Sequence, residues 1–387
     1  MTLPLTGLRI LDFSHFIPGP LATLHLADMG AQVLKIVSRY QSDAADLQPL
    51  FLDSDISANA AYLERNKRSM YLNLKDPRAQ KIVYQLIMHY DILIEQFRPG
   101  TMAEFGLDYA TLSRIHPSLI YCALTGYGQT GPQAGKAGQI INFLARSGSL
   151  NYLSPEDSGR DSSGEFLSAA ASGAAHTIIG ILAAVIGRSK TGHGQYIDIA
   201  LTDSMTTLNN AYAASLITSK SPEPESTSFN AGYLSGCYET ADGKYMSVGS
   251  LLPGFRSVFF EAINRPDLVT AANGEEVKKQ IGEIFRRKKR DEWTKIFRRV
   301  DACVEPVLNA REALDDEQSQ ERNIYVDIDL PQGGKVRQPT LPIKFSSYKP
   351  EYKKIGAADG ANTKEVLQEL GYTEEQIAEM EKTGLLN

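Results

Sequence analysis

The chain has 387 residues, a net charge of −6, and 42% apolar against 22% charged residues. That balance suits a folded globular protein of two domains and lacks the basic excess of a nucleic-acid binder. Three widely spaced cysteines, Cys122, Cys237 and Cys303, fit no zinc-ligand spacing; with no signal peptide evident they predict a cytoplasmic protein without metal, and no apolar run is read as reaching membrane-spanning length.

In chain order, "LRILDF" (8–13) reads as a buried strand, "GPLATLHLADMG" (19–30) as a helix stopped by Gly30, and "QVLKIV" (32–37) as the next strand. This β-α-β opening predicts an α/β fold on a parallel sheet. "RSMYLNL" (68–74) adds a strand, and "DPRAQKIVYQLIMHY" (76–90) an amphipathic helix capped by Asp76 with Pro77 at its first position. "DILIEQ" (91–96) and "LIYCALTGYG" (119–128) are further strands, the second entering a glycine-rich loop. Residues 173–188 read as a helix apolar on all sides and therefore buried. A turn and strand follow at 191–201, and "SKSPEPESTSFN" (219–230) is the linker. Beyond it come a hairpin turning at Asp242-Gly243 (236–250) and a basic run, "RRKKRDEW" (286–293), read as a solvated helix face. A strand–turn–strand (326–345) and two short helices (362–384) close the chain.

Ligands of parallel α/β sheets lie beyond the carboxyl ends of the strands. There "LERNKRSMYLNLKDP" supplies Arg65, Lys67, Arg68 and Lys75, and "DILIEQFRPG" supplies Phe97 and Arg98. Such cations suit phosphates, and an aromatic face suits a planar base. The loop "TGYGQTGP" (125–132) would let backbone approach a ligand closely. His176, inside the apolar helix, is read as a packed residue rather than a catalyst.

Six segments carry a resemblance: "GLRILDFSHFIPGPLATLHLADMGAQVLKI", "RNKRSMYLNLKDP", "DILIEQFRPGTMAEFGLDY", "LIYCALTGYGQTGP", "GILAAVIGRSKTGHGQYIDIALTDS" and "CVEPVL". In order and over nearly the whole length, the chain resembles the family III CoA-transferases and their relatives, the alpha-methylacyl-CoA racemases. The resemblance implies a large, Rossmann-like, parallel-sheet CoA-binding domain built from residues 1–218 and 326–387. It also implies a smaller α+β domain from 231–325, and two chains interlocked as a dimer. CoA contacts are implied at Leu72, Asn73 and Lys75 of "LNLKDP", at Gln96, Phe97 and Arg98 of "EQFRPG", and at Arg39. The family's arginine in "RPGxxxRxGL" is Glu104 here.

In the transferases an Asp just before "GILAA" attacks the acyl thioester, forming a mixed anhydride as CoA thiolate leaves. Aligned on Gly180, that Asp falls at Ala169 or Ala170, and neither is an acid. Asp161 and Glu165 lie upstream, in what reads as a Ser/Gly-rich loop. The His and Asp that racemases carry after "AG" are Gln139 and Ile140, and their Glu after "SVGS" is Leu252. The resemblance thus implies a component of a CoA-transferase complex that is inactive alone: a non-catalytic subunit paired with a homologous Asp-bearing chain. It would bind a CoA thioester and serve transfer of CoA from succinyl-CoA to a carboxylic acid, as in the heteromeric benzylsuccinate CoA-transferases. One alternative is a homodimeric transferase or racemase with a relocated catalyst among Ser168, Ser172, Glu165 and His176, although no base is read beside either serine. Another is an acyl-CoA-binding protein without turnover. Phe16, Ile17, Phe143 and Leu252 would shape the acyl pocket, and neither nucleic acid nor membrane is expected as a partner.

Overall fold

Short, mostly apolar runs become the buried strands of a parallel sheet. The computed structural model describes residues 2–38, 56–149, 163–208, 217, 234–271, 274–331 and 333–386, the side chains of 163–169, 208 and 275 excepted. Six runs form strands β1 (Arg9–Phe13), β2 (Gln32–Val37), β3 (Arg68–Tyr71), β4 (Ile92–Glu95), β5 (Ile120–Thr125) and β6 (Tyr196–Ala200). They make one sheet in the order β3-β2-β1-β4-β5-β6, every pairing parallel. The chain winds from β1 outward through β2 and β3, then returns to the other side of β1 with β4. The carboxyl ends of β1 and β4 therefore flank the topological switch point, where such sheets open a crevice.

The helices between these strands are α1 (Pro18–Asp28), α2 (Ala58–Leu63), α3 (Pro77–Ile87), α4 (Thr101–Glu104), α5 (Tyr109–Ile115), α6 (Ile140–Arg146) and α7 (Ser163–Thr191). Side chains alternate across the sheet, so Ile10, Ile92, Ile94 and Cys122 pack with α1 and α7. Leu11, Phe13, Leu93 and Tyr121 pack on the other face with α3, α5 and the helices Thr363–Glu369 and Glu374–Lys382. At the start of α3 the Asp76 carboxylate accepts the Arg78 N–H at 2.9 Å, with Pro77 at the first position, as its sequence predicts.

Helix α7 departs from expectation. It is not buried all round, because the sheet covers only one side of it. Ala170, Ala174, Ile181 and Ala184 face inward, while Ile179 and Ile186 are 61% and 59% exposed and share their side with Ala171, Ala175 and Ala183. Its stretch Ala170–Thr191 is also long and apolar enough to cross a membrane by length and composition, which the sequence was not expected to contain. Here that stretch lies along the sheet. Glu165 stands in the first turn of this helix rather than in a loop, and Asp161 lies outside the described residues.

Residues 1–209 and 323–387 form one compact unit, and 210–322 a second. The linker read at 219–230 lies outside the described residues. In the second unit, β7 (Gly236–Glu239) and β8 (Tyr245–Val248) pair antiparallel about a turn where Gly243 takes φ 70°. Phe259, Phe285, Trp293 and Phe297 fill its core. The basic run 286–293 is only half helical: 286–289 form the turn after helix Gly274–Phe285, and 290–293 are the first turn of helix Arg290–Phe297. Arg290 is buried there, its fork donating to both oxygens of Glu312 at 2.8 Å.

Candidate active site

Phe13 and Glu95, the last residues of β1 and β4, are register partners. The loops that follow them, Ser14-His15-Phe16 and Gln96-Phe97-Arg98, therefore leave the sheet side by side. The His15 ring lies 4.6 Å from Phe16 and 5.5 Å from Phe97, and Phe97 meets Phe105 edge-on at 6.2 Å. Helix α1 begins at the same place. A Cβ on Gly19 would overlap the Ser14 side chain and come within 2.7 Å of Gln96 Oε1, so only glycine lets the first turn approach this closely. The helix dipole and the exposed Arg98 favour an anion there, although the turn from Pro18 to Leu21 offers no free N–H: Pro18 and Pro20 have none, and those of Gly19 and Leu21 donate to Phe16 O at 3.1 Å and Ile17 O at 2.9 Å.

Burial sets the electrostatics of this crevice. It brings the His15 imidazole down to about 4, helped by the Lys35 charge. It also pushes the Glu95 carboxyl up to about 8, against the Phe97 N–H that donates to Glu95 Oε2 at 2.7 Å and with help from the Asp198 charge. Both groups are neutral at neutral pH. His15 Nδ1 and Gln96 Oε1 are buried with no hydrogen-bond partner among the described residues, so both are atoms a ligand could satisfy. The crevice can stack a ring and hold an anion, but neither His15 nor Glu95 offers a charged nucleophile.

Gln96, Phe97 and Arg98 are thus brought together at the switch point, with Arg98 exposed. Leu72, Asn73 and Lys75 follow β3, at the same edge of the sheet but two strands beyond β1. The Leu72 side chain is buried in the core, leaving only its backbone to a ligand. Asn73 donates its N–H to Leu385 O at 2.9 Å and accepts the Lys75 N–H at 3.1 Å, while Lys75 itself is exposed. Arg39 lies outside the described residues. Glu104 closes the short helix α4 and is exposed.

Three cations read as phosphate ligands are paired within the chain instead, two of them buried and Arg68 partly exposed. Arg65 is buried, donating to Asp28 at 3.2 and 2.6 Å, to Gln338 Oε1 at 3.0 Å and to Pro339 O at 2.9 Å. Lys67, equally buried, reaches Glu64 at 2.7 Å and Pro20 O at 3.0 Å. Arg68 forks onto Glu369 at 3.1 and 3.0 Å. His15 and Glu95 were missed by the sequence reading, although each stands at a strand end where the strand pattern itself could have pointed to them.

Where the resemblance places the Asp, Ala170 is the candidate whose side chain is described, and its neighbours are apolar. Ala170, 2% exposed, packs with Leu124, Ile140, Phe143, Leu144, Leu201 and Met205, and Ile17 and Tyr127 lean on this cluster. Ile17 joins it to the crevice loop. The Phe143 ring lies so close to Gly126 and Gly138 that a Cβ on either would overlap it, and Tyr127 meets it edge-on at 4.9 Å. Gln139 is exposed at the start of α6, outside the cluster; its N–H donates to Asn142 Oδ1 at 2.8 Å. Leu252, in the second unit, is 63% exposed at the start of helix Pro253–Ala262. For Ala169, Ser168 and Glu165 the backbone alone is described, within α7.

One pairing was not anticipated: His176 stands one turn from Ser172, with Nδ1 3.5 Å from Oγ. Yet the same Nδ1 meets the Ser172 carbonyl at 2.9 Å, which requires it to carry a proton. It cannot then accept one from the hydroxyl, which points to Ser204 O at 3.4 Å. The pair ties side chains back to the helix backbone and is not a nucleophile with its base.

A doubly wound parallel sheet with a crevice at its switch point defines an α/β protein of the class that places its ligand sites at the carboxyl ends of the strands. The model of the family described as CoA-transferase family III matches residues 5–357, and the chain belongs to this family. It is 29% identical to the alpha-methylacyl-CoA racemase of Homo sapiens over 99% of this chain and 97% of that one. It is 30% identical to the succinyl-CoA–L-malate CoA-transferase beta subunit of Chloroflexus aurantiacus over 98% and 97%. Among solved structures, a CAIB/BAIF family protein from Brucella suis superposes with a TM-score of 0.83 at 26% identity, covering 96% of this chain and all 100% of that one. CoA-transferase family chemistry, on CoA thioesters, is accordingly the function of the family to which this chain belongs.

Proposed function

We propose that this chain is the non-catalytic subunit of a heteromeric CoA-transferase and binds a CoA thioester while a homologous, Asp-bearing partner performs the transfer. The observation that carries this reading is Ala170, which stands where the resemblance places the Asp, brings no carboxylate, and packs among apolar side chains of the described residues. Loss of a covalent nucleophile costs on the order of a million-fold in turnover. The orphaned His15 Nδ1 and Gln96 Oε1, the half-buried Phe97 face and the exposed Arg98 support CoA at the crevice. The exposed apolar side of α7, with alanines that permit close approach, supports an interlocked partner chain. A relative that is itself named a beta subunit supports a two-chain enzyme. The acyl acceptor is a carboxylic acid with an apolar, aromatic body, such as benzylsuccinate, a reading supported by the partly buried Ile17 and Tyr127 that join the crevice loop to the apolar cluster of Phe143.

The test is CoA exchange from succinyl-CoA to a panel of aromatic and aliphatic acids, by the purified chain alone and mixed with an Asp-bearing homologue from the same genome. Exchange is expected only in the mixture, at a rate that Ser172→Ala in this chain leaves within about twofold, as expected for a side chain outside the reaction. Exchange by the chain alone, abolished by Ser172→Ala, would sink the proposal and establish a relocated catalyst.

A further inference from the structure

The amino ends of the strands frame a second concavity, at the opposite end of the sheet from the crevice. It has a volume of about 790 Å³, within the range of small-molecule sites. Arg9, Gln32 and Arg68, the first residues of β1, β2 and β3, line it together with the segment around Lys353 and Lys354. That segment is held in place by Asn66, in the left-handed region at φ 64°, which donates to Glu351 O at 2.8 Å and accepts the Lys353 N–H at 3.0 Å.

The charges lining this cavity do not balance. Arg68 is matched by Glu369, although its Nε is left buried without a partner, and Lys353 is matched by Glu351 at 2.7 Å. Arg9 and Lys354 remain. Among the described residues neither side chain pairs with a carboxylate, although the Arg9 main-chain N–H donates to Asp91 Oδ2 at 2.9 Å, and the Arg9 guanidinium has only the distant His89 carbonyl at 3.5 Å. Between these cations lie apolar walls from Val33, Leu86 and Val366, with Tyr90 half-buried among them. Two unmatched cations over an apolar floor are complementary to a ligand with two negative charges on a compact hydrophobic body.

We propose that this cavity binds a small organic dianion, its phosphate or paired carboxylates held between Arg9 and Lys354 and its body resting on Val33 and Leu86. The site is separate from the crevice and does not rest on the functional reading above. Because β3 runs from Arg68 to the turn that carries Leu72, Asn73 and Lys75, an occupant would sit at the far end of a strand that ends at the crevice edge.

The probe is phenyl phosphate, a dianion with an aromatic body, titrated calorimetrically into the full chain at low ionic strength, with benzyl alcohol as the uncharged control. Saturable binding of phenyl phosphate at this cavity is expected, resolved from any uptake at the crevice as the component that persists in Arg98→Ser, with none of benzyl alcohol. The double variant Arg9→Ser/Lys354→Ser, at two exposed positions where substitution leaves the fold intact, should weaken binding about tenfold or more. Arg98→Ser, at the crevice, should leave it unchanged. Absence of saturable binding, binding that survives the double variant, or binding lost in Arg98→Ser would each overturn the proposal.

Discussion

Arg65→Ala should destabilise the large unit by about 3–5 kcal/mol, the cost of leaving one member of a buried ion pair alone. Arg65 and Asp28 are both essentially excluded from solvent, with relative exposures of 1% and 0%. Removing the guanidinium leaves the Asp28 carboxylate with only the Asn66 side-chain amide, at 3.0 Å, and strips Gln338 Oε1 and Pro339 O of their donors. The arginine also lies 4.8 Å over the Tyr352 ring, a contact that a lysine would not reproduce. Far-UV circular dichroism in urea is the measurement, because the sole tryptophan, Trp293, stands in the other unit and does not report on this one. Arg68→Ala is the comparison. Its pair with Glu369 is partly exposed and should be worth about 1 kcal/mol or less. If the two variants unfold alike, Arg65 is not the rivet described here.

Glu95→Gln should flatten the pH dependence of stability between about pH 5 and 8. The folded chain holds the Glu95 proton up to about 8, whereas an unfolded chain releases it near 4.5. A carboxyl raised in this way supports the fold fully below the unfolded value, and its contribution is lost as pH rises through the folded one. Over that window the wild type should lose on the order of 3–5 kcal/mol that the variant keeps. The amide oxygen introduced by this substitution would still accept the Phe97 N–H, so the loop geometry is retained. His15 works in the opposite direction. Its depressed imidazole supports the fold above 6.5 and ceases to do so as pH falls toward 4, in both proteins alike. The difference between the two curves therefore isolates Glu95, and curves that run parallel from pH 5 to 8 would refute a neutral Glu95.

The sheet was legible in the sequence because strands buried on both faces leave short, mostly apolar runs, such as "LRILDF" and "QVLKIV", whose internal charges Asp12 and Lys35 are themselves buried. The exposure of α7 was not, because alanine and isoleucine look the same whether they face a sheet or a partner. Arg65 and Lys67 misled for a related reason. A cation near a strand end reads as a ligand contact when its true partner lies 273 residues away, as Gln338 does from Arg65. That residues 169 and 170 are alanines needs no geometry to be noticed, but the packing of Phe143 against Gly126 and Gly138 required the fold.

The bond from Asn73 to the Leu385 carbonyl bears on how this protein is made. Asn73 and Gly384, which also meet, stand 311 positions apart, and Leu385 and Leu386 are part of the core beside Leu72. A nascent chain that has released all six strands still lacks the plug that closes them. It must wait, with that apolar surface open, while the whole middle unit leaves the ribosome, and during this interval its binding loops are unfinished and it is a natural client for chaperones.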